Sequence, residues 1–290
     1  MFCALKLCKT MIGLPPVRTL HRAFPCRTLC ETTGENSRSN GVSGNNINSS
    51  GSTSHESCRG GSNCSSDLTT LGMGNGVKAC LETKSGQRIE IVQGDILDED
   101  VDAIVNPTDK YLLHESKLSS DIMNTAGYLA KRQNEKLILR HYQIPAGSVG
   151  VTTGGFLSCH SIIHAVTPVY NDGTEEELDY SIRMLRAVLH YALLMCHDKR
   201  YFSVSIPALG AGCNKWPTGL CCRLLLYTTL TFLADHPLTP LKFVCFTDSN
   251  PVVVTTFVNE AAELRHPNLI TTETFFEKLP KGADDDNETT

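Results

Sequence analysis

Between residues 202 and 217 the chain reads Phe-Ser-Val-Ser-Ile-Pro-Ala-Leu-Gly-Ala-Gly-Cys-Asn-Lys-Trp-Pro. A short alternating apolar run ends at Pro207, a Gly-Ala-Gly turn follows, and Pro217 stands where a helix can begin. Gly210 and Gly212 let the backbone turn without a Cβ in the way. The N–H groups of such a loop can face an anion, helped by the positive end of the following helix dipole. The chemistry on offer is therefore anion binding, and the geometry suits a phosphate. The stretch lacks the Gly-Lys-Ser/Thr ending of a Walker A loop and is not the dinucleotide pattern Gly-x-Gly-x-x-Gly. Turns need glycine for steric reasons alone, so the rest of the chain must decide what this loop does.

The elements that would position it follow from hydrophobic periodicity. Residues 80–83 and 88–93 alternate as two strands about a Ser85-Gly86 turn, and 101–105 reads as a buried strand. Residues 119–141 read as helix broken near Gly127, with Leu129, Leu137 and Ile138 among its buried residues. Strands over 149–153 and 161–166 come next, followed by a long helix over 174–196 that opens on Glu175, Glu176 and Glu177, where acids suit the dipole. The strand 202–206 leads through the glycine loop to a helix over 218–234, a last strand over 241–246 and a last helix over 251–265. Strands alternating with helices predict an α/β fold: a three-layer α/β/α domain with a mixed central sheet. Ligands of such sheets bind at the carboxyl ends of the strands. The polar residues at those ends are Gly94-Asp95-Ile96, Asn106-Pro107, Gly154-Gly155, the loop 209–216 and Thr247-Asp248.

Composition narrows the class. The chain has 290 residues and a formal net charge of −5, which gives no basic field for nucleic acid. Residues 33–76 are Ser, Gly and Asn with few large apolar side chains, too little to offset the entropy of ordering. The expected organisation is a leader over 1–77, a folded domain over 78–268 and an acidic tail over 269–290. The first 30 residues hold Lys6, Lys9, Arg18, Arg22 and Arg27 without an acid. They read as a mitochondrial presequence or as a plain leader, since Pro15 and Pro16 interrupt an amphipathic helix. Thirteen cysteines suggest a disulfide scaffold until their placement is considered. Six lie in the leader, whereas Cys159, Cys196, Cys221, Cys222 and Cys245 fall mostly in apolar segments where a thiol acts as a small hydrophobe. The odd count and irregular spacing point to a reduced cytosolic or nuclear protein, and no cysteine pair shows zinc-ligand spacing. No metal or cofactor, no membrane span and a monomeric state are expected.

Taken in order, Gly94-Asp95-Ile96, Val-Asp-Ala-Ile-Val-Asn over 101–106, Thr125-Ala-Gly127, Ile-Ile-His-Ala-Val over 162–166 and Pro-Ala-Leu-Gly-Ala-Gly over 207–212 resemble the macro domain. The resemblance covers roughly residues 79–266. Leu112-Leu-His114 and the 162–166 run look closest to macro modules of the BAL-type macro-containing ADP-ribosyltransferases. The resemblance implies binding of ADP-ribose, free or carried on protein. It assigns the adenine amino group to Asp95, continued by the Ile96 N–H, and the adenine face to Phe246. It gives the distal ribose to Asn106 and the diphosphate to backbone donors of Gly210, Ala211, Gly212, Cys213 and Asn214. His164 matches the strand motif and reads as a hydrogen-bonded core histidine.

Departures from the pattern bear on activity. Many macro domains carry Asn-Ala-Ala-Asn and then a run of glycines enclosing the distal ribose. Here Asn106 is followed by Pro107-Thr108-Asp109, and Glu115-Ser116-Lys117 stands where the glycines would be. The acidic residue of the MacroD-type hydrolases is matched by Ser119. The candidates for a general base are Asp109, His114 and Glu115, if their loop folds inward. Three functions follow from these residues: a reader of ADP-ribose with weak or no hydrolysis, an ADP-ribosyl hydrolase with an unusual base, and an interaction module on a macro fold without ligand.

Overall fold

The computed structural model describes residues 76–264. The leader with its cysteines, the expected presequence or plain leader, and the acidic tail lie outside the described residues. The elements run β1 Val77–Glu82, β2 Arg88–Gln93, a single 3-10 turn Ile96–Asp98, β3 Ala103–Thr108, α1 Lys117–Ala126, α2 Tyr128–His141, β4 Val149–Thr153 and β5 Ser161–Val166. They continue as α3 Glu175–Asp198, β6 Ser203–Ile206, α4 Thr218–Asp235, β7 Phe243–Asp248 and α5 Pro251–Leu264. The seven strands form one sheet in the order β1-β2-β7-β6-β3-β5-β4. The β1/β2 and β4/β5 pairs are antiparallel and the rest parallel, so the sheet is mixed as expected.

Strand alternation sorts side chains between two helical layers. Ala103, Val105, Ile163, Ala165, Val204 and Ile206 pack on α3, α4 and α5. Their neighbours Ile104 and Ile162 point the other way, onto Ile122, Met123 and Ala126 of α1 and Ala130 of α2. Local chemistry starts the helices where the chain needs them. Ser116 caps α1 by accepting the Ser119 N–H at 3.3 Å, and Thr174 caps α3 by accepting the Glu177 N–H at 3.2 Å. Three glutamates follow in the first turn of α3.

Some boundaries and one buried residue differ from expectation. β3 runs on to Thr108, because Asn106, Pro107 and Thr108 pair with His164, Ala165 and Val166 of β5. β7 runs two residues further, to Asp248, in register with Gln93 of β2. Leu129 is 63% exposed. Gly127 ends α1 and α2 starts anew at Tyr128, so the inward stripe of α2 falls on Ala130 and Leu137.

Gly155 shows how closely the loop after β4 meets α1. Its φ is +63°, and a Cβ there would lie 1.9 Å from the Ala126 carbonyl oxygen. That oxygen already accepts the Phe156 N–H at 3.2 Å. Gly155→Ala is expected to lose about 2–4 kcal/mol of stability, read from the urea midpoint. A loss under about 1 kcal/mol would show that the loop gives way.

Candidate functional site

β3 and β6 pair only at Ala103 with Val204 and Ile104 with Ser205. Beyond those pairs Pro107 on one strand and Pro207 just after the other have no N–H to continue a ladder. Both prolines line a cleft of about 910 Å³ that opens in this fork. Its other walls are the turn after β3 with Asp109, Lys110, Glu115 and Ser116, the segment Val166 to Val169 after β5, the glycine loop, and Asp248, Asn250 and Val253.

The glycine loop is held by its own turns and by three side chains, the third being Cys221, whose thiol donates to the Leu209 carbonyl at 2.8 Å. Ala211 N–H donates to the Ala208 carbonyl, Lys215 N–H to that of Gly212 and Trp216 N–H to that of Gly210, each at 3.2 Å. The N–H groups of Gly212, Cys213 and Asn214 have no acceptor among the described residues. Three successive unpaired amides make an anion-binding concavity. The Asn214 side-chain amide donates to the Thr167 carbonyl at 3.1 Å and to the Thr167 hydroxyl. Trp216, 3% exposed, donates its Nε1–H to the Pro168 carbonyl at 2.9 Å. Gly210 has φ +96°, and a Cβ there would meet the Trp216 ring at 2.6 Å. Of the five residues expected to offer backbone donors, Ala211 does not, because its N–H closes the turn. Asn214 adds a second role as a strut between the loop and the end of β5.

The facing wall is tied down from beneath. Asn106 points to the α1 side of the sheet, as Ile104 does, and is fully buried. Its Nδ2 lies 3.2 Å from His164 Nδ1 and 3.3 Å from His114 Nδ1. His164 Nε2 meets Thr152 Oγ1 at 2.9 Å, and His114 Nε2 meets Asn134 Oδ1 at 3.1 Å. A donor amide between two Nδ1 atoms assigns both rings the neutral Nε2–H tautomer. Ser119 Oγ, 2.8 Å from His114 Nδ1, completes the cluster. Burial, and then the neighbouring His114, push His164 down to about 3. Burial also lowers His114, against an opposing hydrogen bond from Asn134. His164 is therefore the packed core histidine expected. Asn106 is a correction: its amide braces this network and is not among the residues lining the cleft.

The other expected residues divide. Asp109 lines the cleft, but its two oxygens accept the Tyr111 N–H at 2.6 Å and the Leu113 N–H at 2.8 Å. His114 is engaged at both nitrogens and lies off the cleft. Glu115 is exposed on the cleft wall and has no partner among the described residues. Asp95 is exposed, outside the lining, with Oδ1 accepting the Leu97 N–H at 3.0 Å. It adjoins Gly94, whose N–H donates to the Asp248 carbonyl at 3.2 Å. The Ile96 side chain, 4% exposed, belongs to the α1-side core. Phe246 is a second correction. It is fully buried and stacked on Phe257 at 5.0 Å, because strand alternation turns it toward α5, so it offers no face to a base. Asp248, two residues on, is the cleft residue of β7, and burial raises the pKa of its carboxyl against backbone hydrogen bonds from Asn250 and Ala208. Its place after a strand was the available signal, whereas nothing in the sequence marked Val253. Among the described residues no group of three or more His, Cys, Asp or Glu is placed to hold a metal ion.

The histidine network predicts a pH dependence. Folding depresses the His164 pKa from 6.5 to about 3, so between those values the unfolded chain binds a proton that the folded chain refuses. Stability is intact above the unfolded value and falls with acid, by up to about 1.4 kcal/mol per pH unit from this one group. In denaturant titrations from pH 7 to 4, His164→Gln should show a shallower decline than the wild type. Equal slopes would contradict the assignment.

Comparison with known proteins agrees with this geometry. The family model for the Macro domain matches residues 105–225. The chain is 30% identical over 174 residues to a macro domain-containing protein of Listeria monocytogenes, covering 59% of this chain and 97% of that one. It is 33% identical over 154 residues to mouse protein mono-ADP-ribosyltransferase PARP9, covering 52% of this chain. An O-acetyl-ADP-ribose deacetylase of Escherichia fergusonii is 27% identical over 164 residues, covering 56% of this chain and 90% of that one. The chain spans only 17% of the mouse protein, and 27% of a Thermotoga maritima protein to which it is 32% identical over 168 residues. Among solved structures, the Oceanobacillus iheyensis macrodomain with ADP superposes with a TM-score of 0.58 at 23% identity, covering 64% of this chain and 96% of that one. With its mixed seven-stranded sheet, its strand-end cleft and a near full-length relative at 30% identity, the chain belongs to the macro domain family.

Proposed function

We propose that this chain is a binding module for ADP-ribose, free or attached to protein, and that it holds the ligand without readily cleaving it. The observation that carries the reading is the row of unpaired N–H groups at Gly212, Cys213 and Asn214 on the wall of the cleft. They suit a diphosphate, and the cleft has the volume for a nucleotide. Asp95 Oδ2 accepts nothing among the described residues and is assigned to the adenine amino group. Against rapid hydrolysis stand the committed oxygens of Asp109 and the doubly bonded, neutral His114.

One observation favours a second reading. Glu115 is a carboxylate on the cleft wall without a partner, placed as a general base for water. A release assay on mono-ADP-ribosylated protein separates the two. The binding reading expects no release above the background of Glu115→Gln, whereas release lost in that variant establishes hydrolysis.

Calorimetry tests the site itself. Gly212 has open space around its Cβ, so Gly212→Glu should fold with an unchanged melting temperature while placing a carboxylate at the donors. ADP-ribose affinity is expected to fall at least about 100-fold, and retained affinity would refute the loop assignment. Asp95→Ala is expected to weaken binding by about 1.5–3 kcal/mol, roughly 10- to 100-fold, the range for a hydrogen bond to a charged acceptor. No change would remove Asp95 from the site.

A further inference from the structure

Beside the cleft at Lys110 stand Tyr111, Leu113 and Tyr142, exposed side chains that do not line the cleft itself. Lys110 lines the cleft, and its ammonium lies 5.0 Å from the centre of the Tyr111 ring. Tyr111 meets Tyr142 edge to face at 6.2 Å. Tyr142 is 74% exposed and Leu113 is 60% exposed. The backbone beneath them is strained. Leu112, His114 and Tyr142 have φ of +54°, +57° and +62°, three of the five non-glycine residues with positive φ among those described. The strain is held in place by the Asp109 carboxylate, by the His114 cluster and by a 2.8 Å bond from the Ile144 N–H to the Lys110 carbonyl. Leu112 is turned inward at 2% exposure while Tyr111 and Leu113 on either side are turned out.

We infer that Tyr111, Leu113 and Tyr142 form a docking surface for the polypeptide that carries the ADP-ribosyl group, and that they take an apolar side chain flanking the modified residue. The inference rests on the ADP-ribose reading of the cleft. Its warrant is continuity: Asp248 and the neighbouring Asp95 mark one side of the cleft, and the Asp109 to Ser116 wall marks the other. A ligand whose adenine lies toward Asp95 and whose diphosphate meets Gly212 to Asn214 directs its distal ribose to this second wall. A protein attached to that ribose must then pass over Lys110 and onto the tyrosines. The chain would thus distinguish a modified protein from the free nucleotide by contacts outside the nucleotide cleft, where exposed aromatics are effective anchors.

Calorimetry on the full chain with three ligands tests this. They are free ADP-ribose, a peptide bearing ADP-ribose through an uncleavable linker between leucines, and the same conjugate with serines in place of the leucines. The leucine conjugate is expected to bind about tenfold more tightly than the other two. Tyr142→Asn and Leu113→Ser should each remove most of that advantage while leaving free ADP-ribose within about twofold of wild type. Equal binding of all three ligands by the wild type overturns the docking surface and leaves the cleft reading standing. Absence of binding to any of them overturns both. Equal loss for free and conjugated ligand in both variants also overturns the docking surface, because it reports a general disturbance of the fold.

Discussion

The parting of β3 from β6 is the constraint on which the site depends. The two strands share only two register pairs, and then Pro107 and Pro207 leave each strand without the donor that further pairing requires. A parallel sheet that zipped to its end would have filled this space with its own ladder. Because it forks, the loops after β3 and β6 stand apart as two walls, and the strand ends supply a floor. On its other side β3 stays paired with β5 through Thr108, so Pro107 costs the sheet nothing there. The fork therefore opens a cleft of about 910 Å³ without loosening the sheet.

Each wall is braced by buried polar groups rather than by apolar contact alone. Under the β3 wall, Asn106 links two neutral histidines, and Ser119 ties the start of α1 to the same cluster. Opposite, Asn214 and Trp216 fasten the glycine loop to Thr167 and Pro168. A buried network that is satisfied specifies one arrangement, since breaking any member leaves polar atoms stranded in low dielectric. Asn106 Oδ1, fully buried and without a partner, is the one atom of the cluster that lacks this satisfaction. The amides left over at Gly212 to Asn214 stand on a loop shaped by its own turns and by these ties, so a ligand meets donors already arranged.

How far the sequence disclosed this is a matter of address against orientation. Periodicity located the strands and helices closely, and Gly210 and Gly212 announced a tight loop whose φ of +96° at Gly210 and close approach to Trp216 require glycine. Asn106 and Phe246 were expected at strand ends, but β3 and β7 each run two residues past them, whereas Asp95 does lie just after β2. The sequence did not tell which way they face. Position along a strand decides as much as parity: Phe246 lies inside β7 and packs on α5 while Asp248 at its end reaches the cleft, and Asn106 turns under the wall it was expected to line. Leu129 went astray in the same way, since the break at Gly127 resets the buried face of α2. Neither Val253 nor the bonds of Asn214 to Thr167 could be read, because they join segments far apart in the chain. The departure of the 115–117 segment from glycine was visible, but its meaning depends on Asp109 being committed to backbone amides and Glu115 being free.

The cleft's hold on a diphosphate depends on the backbone donors of one loop, and nuclear magnetic resonance observes them individually. Titrating labelled protein with ADP-ribose should shift the amide protons of Gly212, Cys213 and Asn214 downfield as they form charge-assisted hydrogen bonds. The Ala211 amide, already bonded to Ala208, should move little. Adenosine, which lacks the diphosphate, should leave all four nearly in place. Shifts confined to other segments, or the same response to adenosine as to ADP-ribose, would contradict the assignment of this loop as the diphosphate site.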